Sequence, residues 1–141
     1  MKCKELQCGD LIADNNDFRW RIIGVGDDYA YATFEGNEGD VWEFDDKDDQ
    51  PEPIPLTPEI LDKNGWLNGP YSRLSLQDGK WLEFYWHEHR LQEYWEGIDE
   101  WQNHTKQLEL VFKAGCIFYV HELQRALRCC GLWDIADNFK V

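Results

Sequence analysis

The stretch Ser72-Arg73-Leu74-Ser75-Leu76-Gln77-Asp78-Gly79-Lys80-Trp81-Leu82-Glu83-Phe84-Tyr85-Trp86 decides the fold class. Two runs with alternating apolar residues, 72–76 and 80–86, flank an Asp-Gly pair, and glycine supplies the positive φ that a tight turn between antiparallel strands requires. The pattern predicts a β-hairpin. Working forward, residues 91–95 read as a third strand that returns after a turn near 87–90, and 107–112 as a fourth. Residues 97–105 carry no clear periodicity.

Upstream, Thr57-Pro58-Glu59 combines an N-cap, a proline at the first helical position and an early acid, and Asn64-Gly65 supplies a stop. A short helix over 58–63 follows, with Ile60 and Leu61 inward and Trp66 closing over its end. Pro51, Pro53 and Pro55 interrupt residues 45–55, which therefore read as a connector. Before it, residues 9–14, 18–23, 29–34 and 41–44 read as four short strands, ended by the turn clusters 14–17 and 24–28 and by a loop over 36–39. In the second of these strands Phe18, Trp20 and Ile22 share one face, and Arg19, Arg21 and Ile23 the other. Together the four predict a small antiparallel, barrel-like meander.

Downstream, Cys116, Tyr119, Val120, Leu123, Ala126, Leu127 and Cys130 recur at helical spacing before Gly131. They predict an amphipathic C-terminal helix lying over the second sheet. Leu132, Trp133, Ile135 and Ala136 form a final apolar turn. The expected fold is α+β: one compact domain over 1–141, with a β meander in 1–50 and a helix, hairpins and C-terminal helix in 56–141. Its core draws on eight Trp, six Tyr and seven Phe, large side chains that suit cross-strand pairing.

Two stretches, Pro53-Ile54-Pro55-Leu56-Thr57-Pro58-Glu59-Ile60-Leu61-Asp62-Lys63-Asn64-Gly65-Trp66 and Tyr119-Val120-His121-Glu122-Leu123-Gln124-Arg125-Ala126-Leu127, resemble a group of small uncharacterised phage- and prophage-associated proteins of gut anaerobic bacteria. The order of parts in that group is similar: an N-terminal β segment, the proline-led helix, hairpins, then the Tyr-Val-His helix. The resemblance implies a source and an architecture. It implies no activity, cofactor or catalytic residue.

Charge bounds the function. Of the formal net charge of -14, most falls between Asp27 and Glu52, where eleven acids face a single base, Lys47. Such a surface repels phosphate, which argues against direct contact with nucleic acid, and attracts a basic partner. No apolar run approaches a membrane span or the core of a signal peptide, so a cytoplasmic protein is expected. Five cysteines, an odd number without a Cys-x-x-Cys pair, suit reduced thiols.

His87-Glu88-His89 has the most metal-like spacing, since two histidines two apart on a strand share a side, but a zinc site needs a third and usually a fourth ligand, and neither His104 nor His121 has a spacing that predicts convergence. A solvated turn is the simpler reading, and no cofactor is expected. His121 reads as a boundary histidine that fixes packing. Asp45-Asp46-Lys47-Asp48-Asp49 fails the EF-hand pattern, because Gln50 stands where that loop turns on glycine. No phosphate-binding loop, dinucleotide fingerprint or nucleophile elbow occurs.

The leading expectation is a non-catalytic binding protein of phage or mobile-element origin that engages a basic protein surface through Asp27, Asp28, Tyr31, Glu35, Asp40, Trp42, Asp45, Asp46, Asp48 and Asp49. Its sharper form is imitation of nucleic acid, with carboxylates in the place of phosphates. A metal-dependent hydrolase using His87 and His89, and a self-associating structural component, are the alternatives.

Overall fold

The computed structural model describes residues 1–35, 37–47, 51–77, 79–98, 104–109 and 116–141, with the backbone alone at 37–38, 95–98 and 104–109. The fold is α+β, with two four-stranded antiparallel sheets and short helices. The chain divides into two compact units. The first comprises Met1–Pro55 and Tyr119–Phe139, and the second comprises Leu56–Phe118.

In the first unit, β1 (Leu11–Ala13), β2 (Arg19–Val25), β3 (Tyr29–Phe34) and β4 (Asn37–Asp45) pair in chain order as an open sheet, not a closed barrel. Alternation sets its inner face. Ala30 lies opposite Phe44 and Ala32 opposite Trp42, so small residues on β3 leave room for large ones on β4. Above them the 3-10 turn Cys3–Glu5 closes the core, which gathers Cys3, Leu6, Ile12, Ile22, Ala30, Ala32 and Phe44. Burying each large apolar side chain there stabilises the unit by about 1.5–3 kcal/mol relative to exposure.

Three boundaries differ from the sequence expectation. β1 is only three residues long, since Gly9, with φ +91°, and Asp10 form a turn before it. β2 runs on to Val25 because the register shifts between Ile22 and Gly24, so the chain absorbs an extra residue without losing its pairing. β4 begins at Asn37, opposite Phe34, where a longer loop was expected. The described end of the connector, residues 51–55, is also more tightly held than its prolines suggest. Ala13 and Glu52 exchange two backbone hydrogen bonds of 2.9 Å, and Pro51 and Ile54 are buried.

The C-terminal helix α2 (Val120–Cys129) belongs to this first unit, where it packs on β1 and on α3 (Trp133–Asp137). The sheet that its buried stripe is seen to meet is the first, at β1. Periodicity names a buried stripe and is silent on which sheet meets it. Of the predicted stripe, Val120, Leu123, Ala126 and Leu127 are buried, whereas Cys116 precedes the helix and Tyr119 caps it. The Glu122 side chain accepts from the Tyr119 N–H at 3.0 Å, and Gly131, at φ +78°, ends the helix with Leu132 N–H donating back to Leu127 O.

In the second unit, α1 (Pro58–Lys63) starts as its sequence predicts, with the Thr57 hydroxyl accepting from Ile60 N–H at 3.3 Å. Leu61 and Trp66 are buried beside it, while Ile60 is only partly so. The sheet orders β5 (Ser72–Ser75), β6 (Lys80–Tyr85), β7 (Arg90–Ile98) and β8 (His104–Glu109) consecutively. Gly79 turns the first hairpin at φ +72°. β8 begins and ends about three residues earlier than 107–112, and residues 110–112 lie outside the described residues.

Candidate functional site

The β3–β4 pair presents the first unit's outer face, opposite the core. Tyr29 stands across from Asp45, Tyr31 from Glu43 and Thr33 from Val41. The strand period of two puts these side chains together because Ala30, Ala32, Trp42 and Phe44 take the core side. Tyr29 is 43% exposed and Val41 58%, and the two tyrosine rings meet edge to face at 5.6 Å. The charge of Glu43 is the main influence that raises the Tyr31 phenol above its ordinary value, with burial and the Glu43 hydrogen bond adding to it. The phenol is therefore a neutral donor throughout the physiological range.

The expected partner-binding acids fall at two ends of the sheet. At one end Asp27 and Asp28 occupy the exposed β2–β3 turn, next to Asp45 and Asp46 at the end of β4, and Asp46 N–H donates to Asp28 O at 3.0 Å. Asp40 sits near the start of β4, at the other end. Glu35 is engaged already, 2.6 Å from the Arg21 guanidinium. So are Asp45, whose Oδ1 accepts from Lys47 N–H at 2.9 Å, and Asp46, whose Oδ1 accepts from Cys3 N–H at 2.7 Å. That backbone hydrogen bond, helped by the Cys3 thiol, Lys2 and Lys4, outweighs burial and holds the Asp46 carboxyl below its usual range. Asp48 and Asp49 lie outside the described residues. Among the described residues no Lys or Arg closes an ion pair with Asp27, Asp28 or Glu43.

Trp42 faces away from Tyr31. It lies on the inner side, 5.6 Å from Trp20 and 4.6 Å from Phe44 between ring centres, and with Trp20, Val41, Asp14, Asn15 and Asn16 it lines a cleft of about 290 Å³. The two members of the expected aromatic pair thus serve different faces.

His87, Glu88 and His89 lie in the turn between β6 and β7, not on a strand, so the same-side geometry that a shared metal needs is absent. His87 is exposed. His89, at φ +49°, turns its Nδ1 to within 3.2 Å of Ile117 O and meets the Phe118 ring at 4.2 Å with the planes tilted by 37°. Among the described residues no three His, Cys, Asp or Glu side chains gather as a metal site.

Two polar clusters went unmarked by sequence patterns. In the first unit Asp10, fully buried, accepts from Arg128 Nη1 at 2.6 Å and from Gln7 N–H at 2.8 Å. Gln124 accepts from Leu11 N–H at 2.9 Å and donates to Gly9 O at 2.8 Å and to Ala136 O at 3.0 Å. This network pins the turn before β1 to α2. In the second unit Glu83, 1% exposed, accepts from Trp81 Nε1 at 3.0 Å and from the Tyr85 hydroxyl at 2.7 Å. Burial, then the Tyr94 and Glu83 hydrogen bonds, push the Tyr85 phenol far above its ordinary value. Arg73, paired across the strands with Glu83, lays its guanidinium over Trp81 at 4.3 Å. The only available signal was a charged residue on each of two strands at positions of the aromatic face, which sequence alone reads as solvent-facing.

No protein-family model, curated protein sequence or solved structure matches the chain. No helix among the described residues is long and apolar enough to cross a membrane.

Proposed function

We propose that the protein is a non-catalytic binder that engages a basic protein surface through the outer face of β3–β4 and the acidic turn beside it. The observation that supports this most directly is the plate of exposed Tyr29, Val41 and Glu43 with the half-buried Tyr31, bordered by Asp27 and Asp28, whose three acids carry no ion-pair partner among the described residues. Aromatic rings supply contact area at small entropic cost, while carboxylates not held in ion pairs speed the encounter with a cation and select against acidic partners. The acids at the two ends of the sheet favour a protein surface over imitation of a continuous phosphate row. The resemblance to phage-associated proteins is in keeping with a binder directed at a host protein.

A basic peptide of ten lysines, titrated by calorimetry at low and high salt, tests the reading. Reversing Asp27, Asp28 and Glu43 to Lys is expected to weaken binding at least about tenfold more than reversing the exposed Glu59, Asp62 and Asp134, which changes net charge equally. Equal losses from the two triple variants would assign the binding to net charge and remove this face from it.

A further inference from the structure

The turn Asp14-Asn15-Asn16-Asp17 does more than end β1. Asp14 Oδ1 accepts from Asn16 N–H at 2.8 Å and from Phe18 N–H at 3.0 Å, while its Oδ2 accepts from the Trp20 indole Nε1 at 2.9 Å. Asp17 takes φ +65° to let the chain reverse, and its carboxylate holds Arg19 at 2.8 Å, on the far side of the strand from Trp20. Burial pushes the Asp14 carboxyl up, but these three hydrogen bonds outweigh it and keep the group ionised. A fixed negative charge therefore stands at the edge of the Trp20 indole, in the cleft that Trp42 also lines.

Trp20 and Trp42 meet at 5.6 Å with their planes 55° apart, so they form an open corner and not a stack. Phe34 braces Trp20 edge to face at 5.3 Å, and Phe44 braces Trp42 at 4.6 Å. Asp14 and the two asparagines close the corner into the cleft of about 290 Å³. That volume is at the lower end of ligand pockets and suits a headgroup or a side-chain tip. The π faces of indole attract cations, and a nearby carboxylate adds to the attraction. Among the described residues the arginines laid over rings are Arg73 on Trp81, Arg90 on Tyr85 and Arg128 on Trp133, none of them on this corner.

The hydrogen bonds of Asp14 also limit the kind of cation. A carboxylate offers roughly four acceptor positions, and here three are taken from within the chain. A guanidinium or a bare ammonium gives up hydration on entry and needs several acceptors in return, of which this carboxylate has about one left while the amide oxygens of Asn15 and Asn16 are neutral and give no charge assistance. A methylated ammonium has few N–H groups to satisfy and is held by charge and ring faces alone. We propose that the Trp20–Trp42 cleft binds a methylated ammonium group, presented as a trimethylated lysine by a basic peptide. The peptide part of this assignment rests on the reading of the first unit as a binder of basic proteins.

Tetramethylammonium chloride is the probe for the cleft itself, followed through the indole N–H signals of Trp20 and Trp42 by NMR at high salt, with each signal assigned from a Trp→Phe variant. Saturable shifts of these two signals are expected, with at least about tenfold weaker responses to guanidinium and to neutral neopentyl alcohol. Asp14→Asn keeps an oxygen for the turn and removes the charge, and is expected to weaken tetramethylammonium binding about tenfold; unchanged circular dichroism confirms its fold. A lysine peptide with one trimethylated residue is expected to bind more tightly than its unmodified form and than choline.

No saturable response, or an equal response to neopentyl alcohol, overturns the cleft as a cation site, while ten-lysine binding that still depends on Asp27, Asp28 and Glu43 leaves the proposed function standing. Choline binding as tight as the trimethylated peptide overturns the peptide as the source.

Discussion

The carboxylate of Asp10 lies 2.6 Å from the guanidinium of Arg128, both buried and 118 positions apart in the chain. This ion pair ties the turn before the first strand to the C-terminal helix. The same guanidinium reaches Asp137 at 3.4 Å, and its Nη2 has no hydrogen-bond partner among the described residues. Gly9 stands close by because a Cβ there would come within 2.8 Å of Arg128 Nη2 and of the Asp137 carboxylate.

Among the described residues, Asp10→Ala leaves the buried Arg128 only its 3.4 Å contact with the half-exposed Asp137 as a counter-charge, and Arg128→Ala leaves the buried Asp10 only Arg125 at 4.0 Å. Each is therefore expected to lower stability by about 2–4 kcal/mol, below the cost of a fully unpaired buried charge. The double variant, with no orphaned charge, is expected to lose markedly less than the sum of the two. Urea unfolding of the four proteins checks this, and additive losses would show that the pair does not act as a unit.

The thiols are expected to separate by reactivity. Cys8, Cys116 and Cys129 are exposed, whereas Cys3 is fully buried in the core beneath the sheet. Burial, followed by the Asp46 hydrogen bond and the nearby charges of Asp46, Asp45 and Asp28, pushes the Cys3 thiol up to about 11. Because the thiolate is the nucleophile, iodoacetamide at neutral pH should label the three exposed cysteines quickly and Cys3 only after unfolding. Peptide mass mapping against time reads the order directly.

Stability is expected to fall in two stages on acidification. Burial lowers the His121 imidazole from its ordinary 6.5, against the opposing pull of Asp10. The unfolded chain therefore takes up that proton first, so this contribution is complete above 6.5 and is lost as pH falls through 6.5 toward the lower folded value. Asp14 and Asp46 are held below 3.8 by their hydrogen bonds, so their contributions are present above 3.8 and disappear as pH drops through their folded values. Thermal unfolding between pH 8 and 3 should show an upper step that His121→Gln removes and a lower one that it leaves in place.

Much of the fold is legible along the chain because its signals are local. The boundaries of β3 and α1 follow from strand alternation and from the Thr57-Pro58 start, and Gly79 and Gly131 take the positive φ that their turns require. The β2 bulge and the bridge from Ala13 to Glu52 are not readable, because each depends on a partner strand whose register is set elsewhere.

The candidate site divides in the same way. Acid density and aromatic content between Asp27 and Glu52 are properties of composition, and sequence alone determined them. The register of β3 against β4, which sends Tyr31 and Trp42 to opposite faces, was decided by the fold. Tertiary structure decided which charges remain available. Arg21 neutralises Glu35, the Cys3 N–H occupies Asp46, and Asp14, which looks like an ordinary turn residue, is drawn to the Trp20 indole. Only the tertiary fold brought α2 back to β1 and paired Asp10 with Arg128. The physical reason is range: periodicity and capping are written within a few residues, whereas a buried charge is satisfied by whatever residue the closed chain sets beside it.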